Sequence, residues 1–337
     1  MEHSLLVGIM LTMVAGLMSG NCMLPLKFLR SWRWENAWLV FSIVSLVVMP
    51  WALALTLVHH LFQTYRTLTF EQLAIPSLLG AGWGIAQILF GISVKRLGMG
   101  IAYAIIVGLG AVLGTLVPLF LQYRILINGH ATALILTGVA VMVAGISLTA
   151  LGGHIRERDT SAAARTIPQQ KYVAAIGLAI LCGVMAPMLN YSFAFGQDIA
   201  LQAIRLGNSA VHAAYAVWPI GLAGGFIPNI FYSVYLLSKH RTFSAFRSTS
   251  KDFYWSSLMG VLWMGAFALY GMSATILGPL GTSVGWCLFQ IFMIMVAALS
   301  GVLTGEWKRS PLSGVLLLSL GLVLLTTAIV LLALGNR

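Results

Sequence analysis

Six uncharged side chains that could bind a ligand fall within the apolar segments of the sequence. They are three tryptophans and three amides: Trp83, Gln87, Asn190, Trp263, Trp286 and Gln290. Amides donate and accept hydrogen bonds, and flat aromatic rings pack against apolar C–H faces. This combination is typical of a site for a neutral molecule that carries both hydroxyl groups and C–H faces, such as a sugar.

The spacing of two of these residues along the sequence places them on the same side of a helix. Gln87 follows Trp83 by four residues, so both lie on one face of a helix. Polar groups within hydrocarbon usually face a cavity or a partner. The structural alternatives are that the tryptophans fill packing gaps and that the amides join helices by hydrogen bonds. We predict that all six residues contact a substrate, with Asn190 as the weakest member.

A proton carrier is harder to find. The chain has eight acidic residues, and each falls in a loop, near a terminus or at the end of an apolar segment. His212 is the titratable side chain that we place inside such a segment, near its outer start. Because an imidazole changes its charge near neutral pH, His212 is our candidate for proton coupling. The alternative is that His212 is a structural hydrogen-bond donor.

The remaining reactive residues do not form a catalytic or metal-binding pattern. Cys22, Cys182 and Cys287 lie within apolar segments and form no CxxC pair, which predicts small buried thiols. We find no clustered acids, histidine ligands or nucleophile–base pair in the sequence. We therefore expect no enzymatic activity, no metal and no cofactor.

Composition places these residues in membrane helices. The chain has 337 residues, of which 59% are hydrophobic and 8% charged, whereas a soluble protein has about a quarter charged residues. A helix needs about 20 apolar residues to cross the bilayer. We therefore predict an all-α polytopic membrane protein that is solvated by the lipid bilayer. The ten predicted spans are 5–24, 37–58, 72–92, 98–121, 131–151, 172–195, 211–237, 253–272, 281–303 and 312–333.

Basic residues give the orientation. Fifteen of the 19 Lys and Arg lie in alternate gaps between the spans, and such residues stay on the cytoplasmic face during insertion. We predict a multi-pass protein of the cell inner membrane with both termini periplasmic. The net charge of +11 is then a topology signal, so we expect no nucleic-acid partner. We also predict that Trp32, Trp34 and Trp38 form an aromatic belt at the membrane–water interface.

The chain also resembles itself. Shifted by 180 residues, Gly80 meets Gly260 and Trp83 meets Trp263, within a longer run of matches around spans three and eight. The offset corresponds to five spans. Because five is an odd number, equivalent spans cross the membrane in opposite directions, and the second half is inverted relative to the first. We thus predict a 5+5 inverted repeat, in which residues 1–151 and 172–337 form the two halves and residues 152–171 form a cytoplasmic linker. Inverted repeats are typical of secondary transporters, whose substrate site lies near the midplane between the repeats.

Several motifs resemble one transporter family. They are Pro25-Leu-Lys27, Trp32-Arg-Trp34-Glu35-Asn-Ala-Trp38, Pro50-Trp51-Ala52, Gly82-Trp83-Gly84, Leu97-Gly98-Met99, Gly114-Thr115, Cys182-Gly183, Gly224-Gly225 and Glu306-Trp307. Together they resemble the L-rhamnose–proton symporter family of the drug/metabolite transporter superfamily, over nearly the whole chain. The resemblance implies ten helices, a 5+5 inverted repeat, and a central cavity surrounded by helices one to four and six to nine.

The resemblance has one departure. Enteric members of that family are expected to carry an acidic residue at the start of helix nine, where this chain has Gly281-Thr282-Ser283. We therefore expect a secondary transporter that moves L-rhamnose or a related monosaccharide by alternating access, with proton symport. The alternative is a drug/metabolite-type exporter or a facilitator of another small metabolite. Association as a homodimer is left open.

Overall fold

The computed structural model describes residues 2–122, 129–160, 169–247, 250–308 and 310–336. Within these ranges the chain is helical and forms no β-strand. Ten helices are long enough and apolar enough to cross a membrane, which confirms the predicted fold class. These spans are α1 Leu5–Phe28, α2 Trp34–Leu57, α3 Phe70–Leu97, α4 Gly100–Leu121, α5 Gly129–Arg156, α6 Tyr172–Arg205, α7 Ala210–His240, α8 Lys251–Ile276, α9 Gly278–Leu303 and α10 Leu312–Gly335.

Several spans contain more than one helical segment. A 3-10 turn at Leu24–Phe28 ends α1, and a π-helical turn at Val44–Val48 divides α2. Pro187, which has no backbone N–H to donate, stands at the first break in α6. The α-helical segments are Glu2–Asn21, Trp34–Ile43, Met49–Leu57, Leu61–Arg66, Phe70–Leu97, Met99–Gln122, Gly129–Thr160, Gln169–Met185, Met188–Phe195, Gln197–Arg205, Ala210–Ala213, Val217–His240, Ser250–Ile276, Gly281–Leu303 and Leu312–Gly335.

The helices pack in two groups. Spans α1 to α4 and α6 to α9 form a central bundle, in which α1 packs against α8 and α9 while α6 packs against α3 and α4. Spans α5 and α10 pack mainly against each other and against α4 and α9 at one side of the bundle. This arrangement agrees with the central and peripheral helices that the family resemblance implies.

Glycine allows α3 and α7 to approach closely. A Cβ added to Gly80 would collide with the backbone of Gly221, and one added to Gly224 would collide with the backbone of Ser77. Small residues at such a crossing let two helix backbones meet, which is how many membrane helices associate. The contact fixes α3, the helix that carries Trp83 and Gln87.

The predicted aromatic belt is wrong for two of its three tryptophans. Trp32 and Trp38 are buried, and their indole N–H groups donate to the carbonyl oxygen of Ala245 and to Asn229 Oδ1, each at 3.0 Å. Only Trp34 is exposed, and its ring stacks on Trp38. The difference arises because α7 and the turn that follows it cover this end of α2.

The predicted linker at 152–171 is only partly described. Helix Gly129–Thr160 continues nine residues past the predicted end of span five, and helical backbone resumes at Gln169. Residues 161–168 lie outside the described ranges, as does the terminal Arg337. The division of the chain into two repeats and a linker stays a prediction.

Candidate functional site

A cavity of about 510 Å³ lies at the centre of the bundle, among α1, α3, α4, α6, α8 and α9. Its size falls within the range of roughly 300–1,000 Å³ that is usual for small-molecule sites. Trp83, Gln87, Trp263, Trp286 and Gln290 all line it. Five of the six predicted site residues, from three helices, therefore surround one space.

The rest of the lining is apolar or weakly polar. These other residues are Ser19, Gly20, Cys22, Met23, Ala86, Phe90, Tyr103, Ile106, Val107, Gly110, Cys182, Ala186, Phe267, Phe289, Met293 and Ala297. No Asp, Glu, Lys, Arg or His occurs among the described residues that line the cavity. An ionic ligand would find no counter-ion there, so the cavity suits a neutral molecule.

Two tryptophans meet face to face in this cavity. The rings of Trp83 and Trp263 are stacked with their centroids 5.2 Å apart, and Phe267 packs against Trp263 at 4.4 Å. Both indoles are nearly buried. They join α3 to α8, the two helices that the 180-residue offset equates. Both residues line the cavity and offer it apolar aromatic surface at the middle of the bundle.

Gln87 and Gln290 supply the hydrogen-bonding groups of the cavity. Neither amide has a hydrogen-bond partner within the part of the chain that the structure describes. Gln290 is buried and Gln87 is half-buried. Because amides away from water normally have hydrogen-bond partners, both are available to a ligand that enters the cavity. Tyr103, a polar residue within α4 that our six did not include, lines the same space.

Trp286 is anchored to the opposite wall. Its indole N–H donates to the carbonyl oxygen of Gly110 at 3.2 Å. The ring also lies against Gly114, where an added Cβ would collide with it. Since its N–H is already used, Trp286 offers the cavity its aromatic surface.

The structure does not bring Asn190 to the cavity. Its amide is fully buried and donates to the carbonyl oxygens of Gly114 and Thr282, each at 2.9 Å, while its side-chain oxygen accepts from the Tyr270 hydroxyl. These bonds join α6 to α4, α8 and α9, as the helix-joining alternative expects. Contact of Asn190 with substrate stays a prediction.

His212 also lies away from the cavity. It is exposed in the four-residue helix Ala210–Ala213 at the start of α7, where its backbone N–H donates to Ser209 Oγ at 3.3 Å. The proton-coupling role of His212 stays a prediction. No cluster of potential metal ligands occurs among the described residues, and the three cysteines are free and buried, as predicted.

The cavity is displaced toward one end of the bundle. Its lining residues in α1, α4 and α6, and most of those in α3, come from the halves of those spans that adjoin the basic loops, which we call the basic end, whereas those in α8 and α9 lie around the middle of the spans. On its other side lies an aromatic layer of Phe193, Trp218, Phe267, Tyr270 and Phe289, whose neighbouring rings are 4.8 to 6.3 Å apart. All five rings are buried, so this layer separates the cavity from the opposite end.

A smaller cavity of about 180 Å³ extends toward the basic end. It shares Tyr103 and Ala297 with the central cavity and reaches Arg156, Glu306 and Trp307. The two spaces thus follow one another from the tryptophan pair toward the basic loops.

Glu306 organises the far end of this smaller cavity. Its carboxylate accepts from Lys27 Nζ at 2.7 Å and from Arg156 Nη1 at 2.9 Å, and the Arg156 guanidinium lies 4.9 Å from the Trp307 ring centroid. The hydrogen bond from Lys27, together with the charges of Lys27 and Arg156, holds the pKa of Glu306 below its ordinary value although partial burial opposes this. The carboxylate is therefore charged at neutral pH and ties the ends of α1 and α5 to the α9–α10 loop.

Comparison with known proteins identifies relatives over the full length. The family model described as L-rhamnose-proton symport protein (RhaT) matches residues 1–337. A protein of Klebsiella pneumoniae (strain 342) named L-rhamnose-proton symporter is 26% identical over 344 residues, and the match covers 99% of each chain. A protein of the same name from Yersinia pestis (strain Pestoides F) has the same identity and coverage.

Proposed function

The chain belongs to the L-rhamnose-proton symport protein family, and from this premise we propose that it carries L-rhamnose or a closely related neutral monosaccharide across the membrane together with a proton. The family consists of transporters rather than enzymes. The observation that carries the proposal for this chain is the uncharged central cavity, which combines stacked tryptophans with two unpaired amides.

The cavity chemistry matches a small sugar better than an amphiphile or an ion. The indoles of Trp83 and Trp263 present aromatic surface to the C–H groups of a sugar ring, while Gln87 and Gln290 can donate to and accept from its hydroxyls. L-Rhamnose has an apolar methyl group in addition to hydroxyls. We propose that the apolar lining, with Phe90 and Phe267 in it, receives that methyl group.

The transport mechanism that we propose is alternating access between two inverted repeats of five helices. The contact pattern supports it, because the most extensive helix–helix contacts are kept when every helix is replaced by the helix five positions along the chain. The pair α1–α8 then becomes α6–α3, and α3–α7 becomes α8–α2. The glycines agree: Gly80 of α3 lies against α7, and Gly260 of α8 lies against Phe41 and Val44 of α2.

The proposed orientation places the basic end in the cytoplasm and both termini in the periplasm of an inner-membrane protein. The cavity then faces the cytoplasm, and the aromatic layer closes it from the periplasm. Transport would require the rings of this aromatic layer to separate while the helix ends near Glu306 move together. We also propose that two copies associate as a homodimer, which the oligomeric state of the purified protein would test.

The proton, in this proposal, binds outside the sugar cavity. The described lining contains no acidic residue and no histidine, and Thr282 and Ser283 occupy the place where an acidic residue is expected in enteric relatives. His212 remains our first candidate, followed by Glu35, Asp198 and Glu306. Any of these would act by shifting the balance between the two conformations, because a ligand shifts an equilibrium only through its differential affinity.

Uptake of radiolabelled L-rhamnose into proteoliposomes tests the proposal. We expect uptake that is saturable and that accumulates sugar when the external pH is lower than the internal pH. Uptake that stops when the internal and external sugar concentrations are equal, regardless of the pH difference, would favour a facilitator. The absence of both uptake and binding of L-rhamnose would favour the exporter of another metabolite.

A further inference from the structure

A second depression, of about 770 Å³, lies at the basic end between the end of α1 and the start of α8. It shares no lining residue with the central cavity or with the smaller cavity that extends from it. The proposed sugar pathway therefore leaves it unexplained. Its lining is both basic and aromatic, and it lies where the helices leave the apolar part of the membrane.

Positive charge dominates this depression. Lys27, Arg30 and Lys251 line it, and none of the described lining residues is acidic. Lys27 is already paired with Glu306. Arg30 and Lys251 have no ion pair among the described residues. Two exposed cationic side chains without an ion pair thus line the depression.

A buried carboxylate holds the two cationic residues in place. Asp252, the first neighbour of Lys251 in α8, accepts hydrogen bonds from the backbone N–H groups of Arg30, Ser31 and Trp32 at 3.0, 2.8 and 2.9 Å. Asp252 is completely buried, and both of its carboxylate oxygens accept from the loop. These three bonds attach the α1–α2 loop to the first turn of α8 and thereby keep Arg30 beside Lys251.

Aromatic rings form the rest of the wall. Phe28 and Trp255 are in contact with their centroids 4.9 Å apart, and Tyr254 meets Trp255 at 5.1 Å. Phe28 is 50% exposed and Tyr254 58% exposed, which is high for aromatic side chains. Exposed aromatics at the end of a membrane helix commonly contact the boundary between headgroups and acyl chains.

We propose that this depression binds the headgroup of an anionic phospholipid, with its phosphate between Arg30 and Lys251 and its glycerol region against Phe28 and Tyr254. Basic pockets between membrane helices on the cytoplasmic side are suited to such headgroups. A soluble anion would use the two charges but not the exposed rings. A zwitterionic lipid would use the rings but would bring a positive charge next to Arg30.

Thermal unfolding of the full-length protein in detergent tests this binding. Dioleoylphosphatidylglycerol should raise the melting temperature, whereas dioleoylphosphatidylcholine and inorganic phosphate should not. In the Arg30→Gln/Lys251→Gln double variant, the lipid concentration needed for half the effect should rise roughly 30-fold, since each basic residue near an anionic surface contributes about a factor of five to six. Both side chains are exposed and unpaired, so this variant should fold like the parent.

A matched control separates this site from general attraction to positive charge. Lys239→Gln/Arg247→Gln removes the same charge from the same end of the molecule but outside the depression, and it should respond to phosphatidylglycerol like the parent. An equal loss of response in both double variants would overturn the proposal. So would stabilisation by phosphate alone, which would indicate a site for a free anion, or equal stabilisation by both lipids.

Discussion

Replacing Gln87 with leucine should weaken sugar binding without harming the fold. The two side chains are similar in size, and the Gln87 amide makes no hydrogen bond within the described part of the protein. Its removal therefore leaves no buried protein group without a partner, so the whole effect should appear in the complex. The same reasoning applies to Gln290, which faces the cavity from α9.

The expected magnitude follows from the number of hydrogen bonds lost. One neutral hydrogen bond contributes about 0.5–1.5 kcal/mol, which corresponds to an affinity about two- to thirteen-fold weaker. If Gln87 and Gln290 contact different hydroxyls, their effects should add, because they do not bond to each other. The Gln87→Leu/Gln290→Leu variant should then bind more weakly than either single variant by a similar factor.

Equilibrium binding of radiolabelled L-rhamnose to the purified protein measures these differences directly. Gln202→Leu is the matched control, because Gln202 is an amide outside the cavity that donates to Thr67 Oγ1. It should bind sugar like the parent. If Gln87→Leu and Gln290→Leu both retain the parent Kd, the cavity is not the sugar site and the reasoning from its free amides fails.

Three further substitutions test other parts of the molecule. Asn190→Ala removes a side chain that joins four helices, so we expect about 1–3 kcal/mol less stability in thermal unfolding; an unchanged melting temperature would contradict this role. The pKa of Glu306 is lowered, so its contribution to stability should be complete above pH 4.5 and should be lost as the pH falls through the lowered value. The Glu306→Gln variant should therefore lose less stability in acid than the parent. The difference should be under about 1 kcal/mol, because the Lys27–Glu306 ion pair is partly exposed. His212→Gln should abolish accumulation of sugar against a gradient and spare exchange without a pH difference; accumulation that persists would remove His212 from the mechanism.

Local sequence signals predicted the parts of the site that depend on single helices or on the repeat. Trp83 and Trp263 align at an offset of 180 residues, and the structure stacks them against each other. Gln87 lies one turn from Trp83 because helical periodicity requires it. Charge and hydropathy were sufficient for the ten spans, since lipid excludes other backbone conformations.

Features that depend on remote partners could not be predicted. Asn190 is polar and lies in a span, so its sequence fits a ligand contact and a helix tie equally well. Its amide donates to the backbone carbonyls of Gly114 and Thr282. Because every residue has a backbone carbonyl, the residue types in the sequence do not reveal these partners. Trp38 was wrongly assigned to the aromatic belt for the same reason, because Asn229, which accepts from its indole N–H, lies far along the chain.

The uncharged cavity constrains how a proton could drive sugar transport. A carboxylate in contact with the sugar could couple the two directly, but the described cavity lining offers none. Protonation must then act at a distance, by changing the stability of one conformation relative to the other. In the proposed alternating access the contacts at the two ends of the bundle would change, and His212 and the Glu35–His240 pair lie at opposite ends. A shift of one conformation from 1% to 99% requires about 5.5 kcal/mol, more than one exposed group provides. Strong coupling would therefore need several titrating groups at these ends, whereas a single one would produce a symporter whose accumulation is weak.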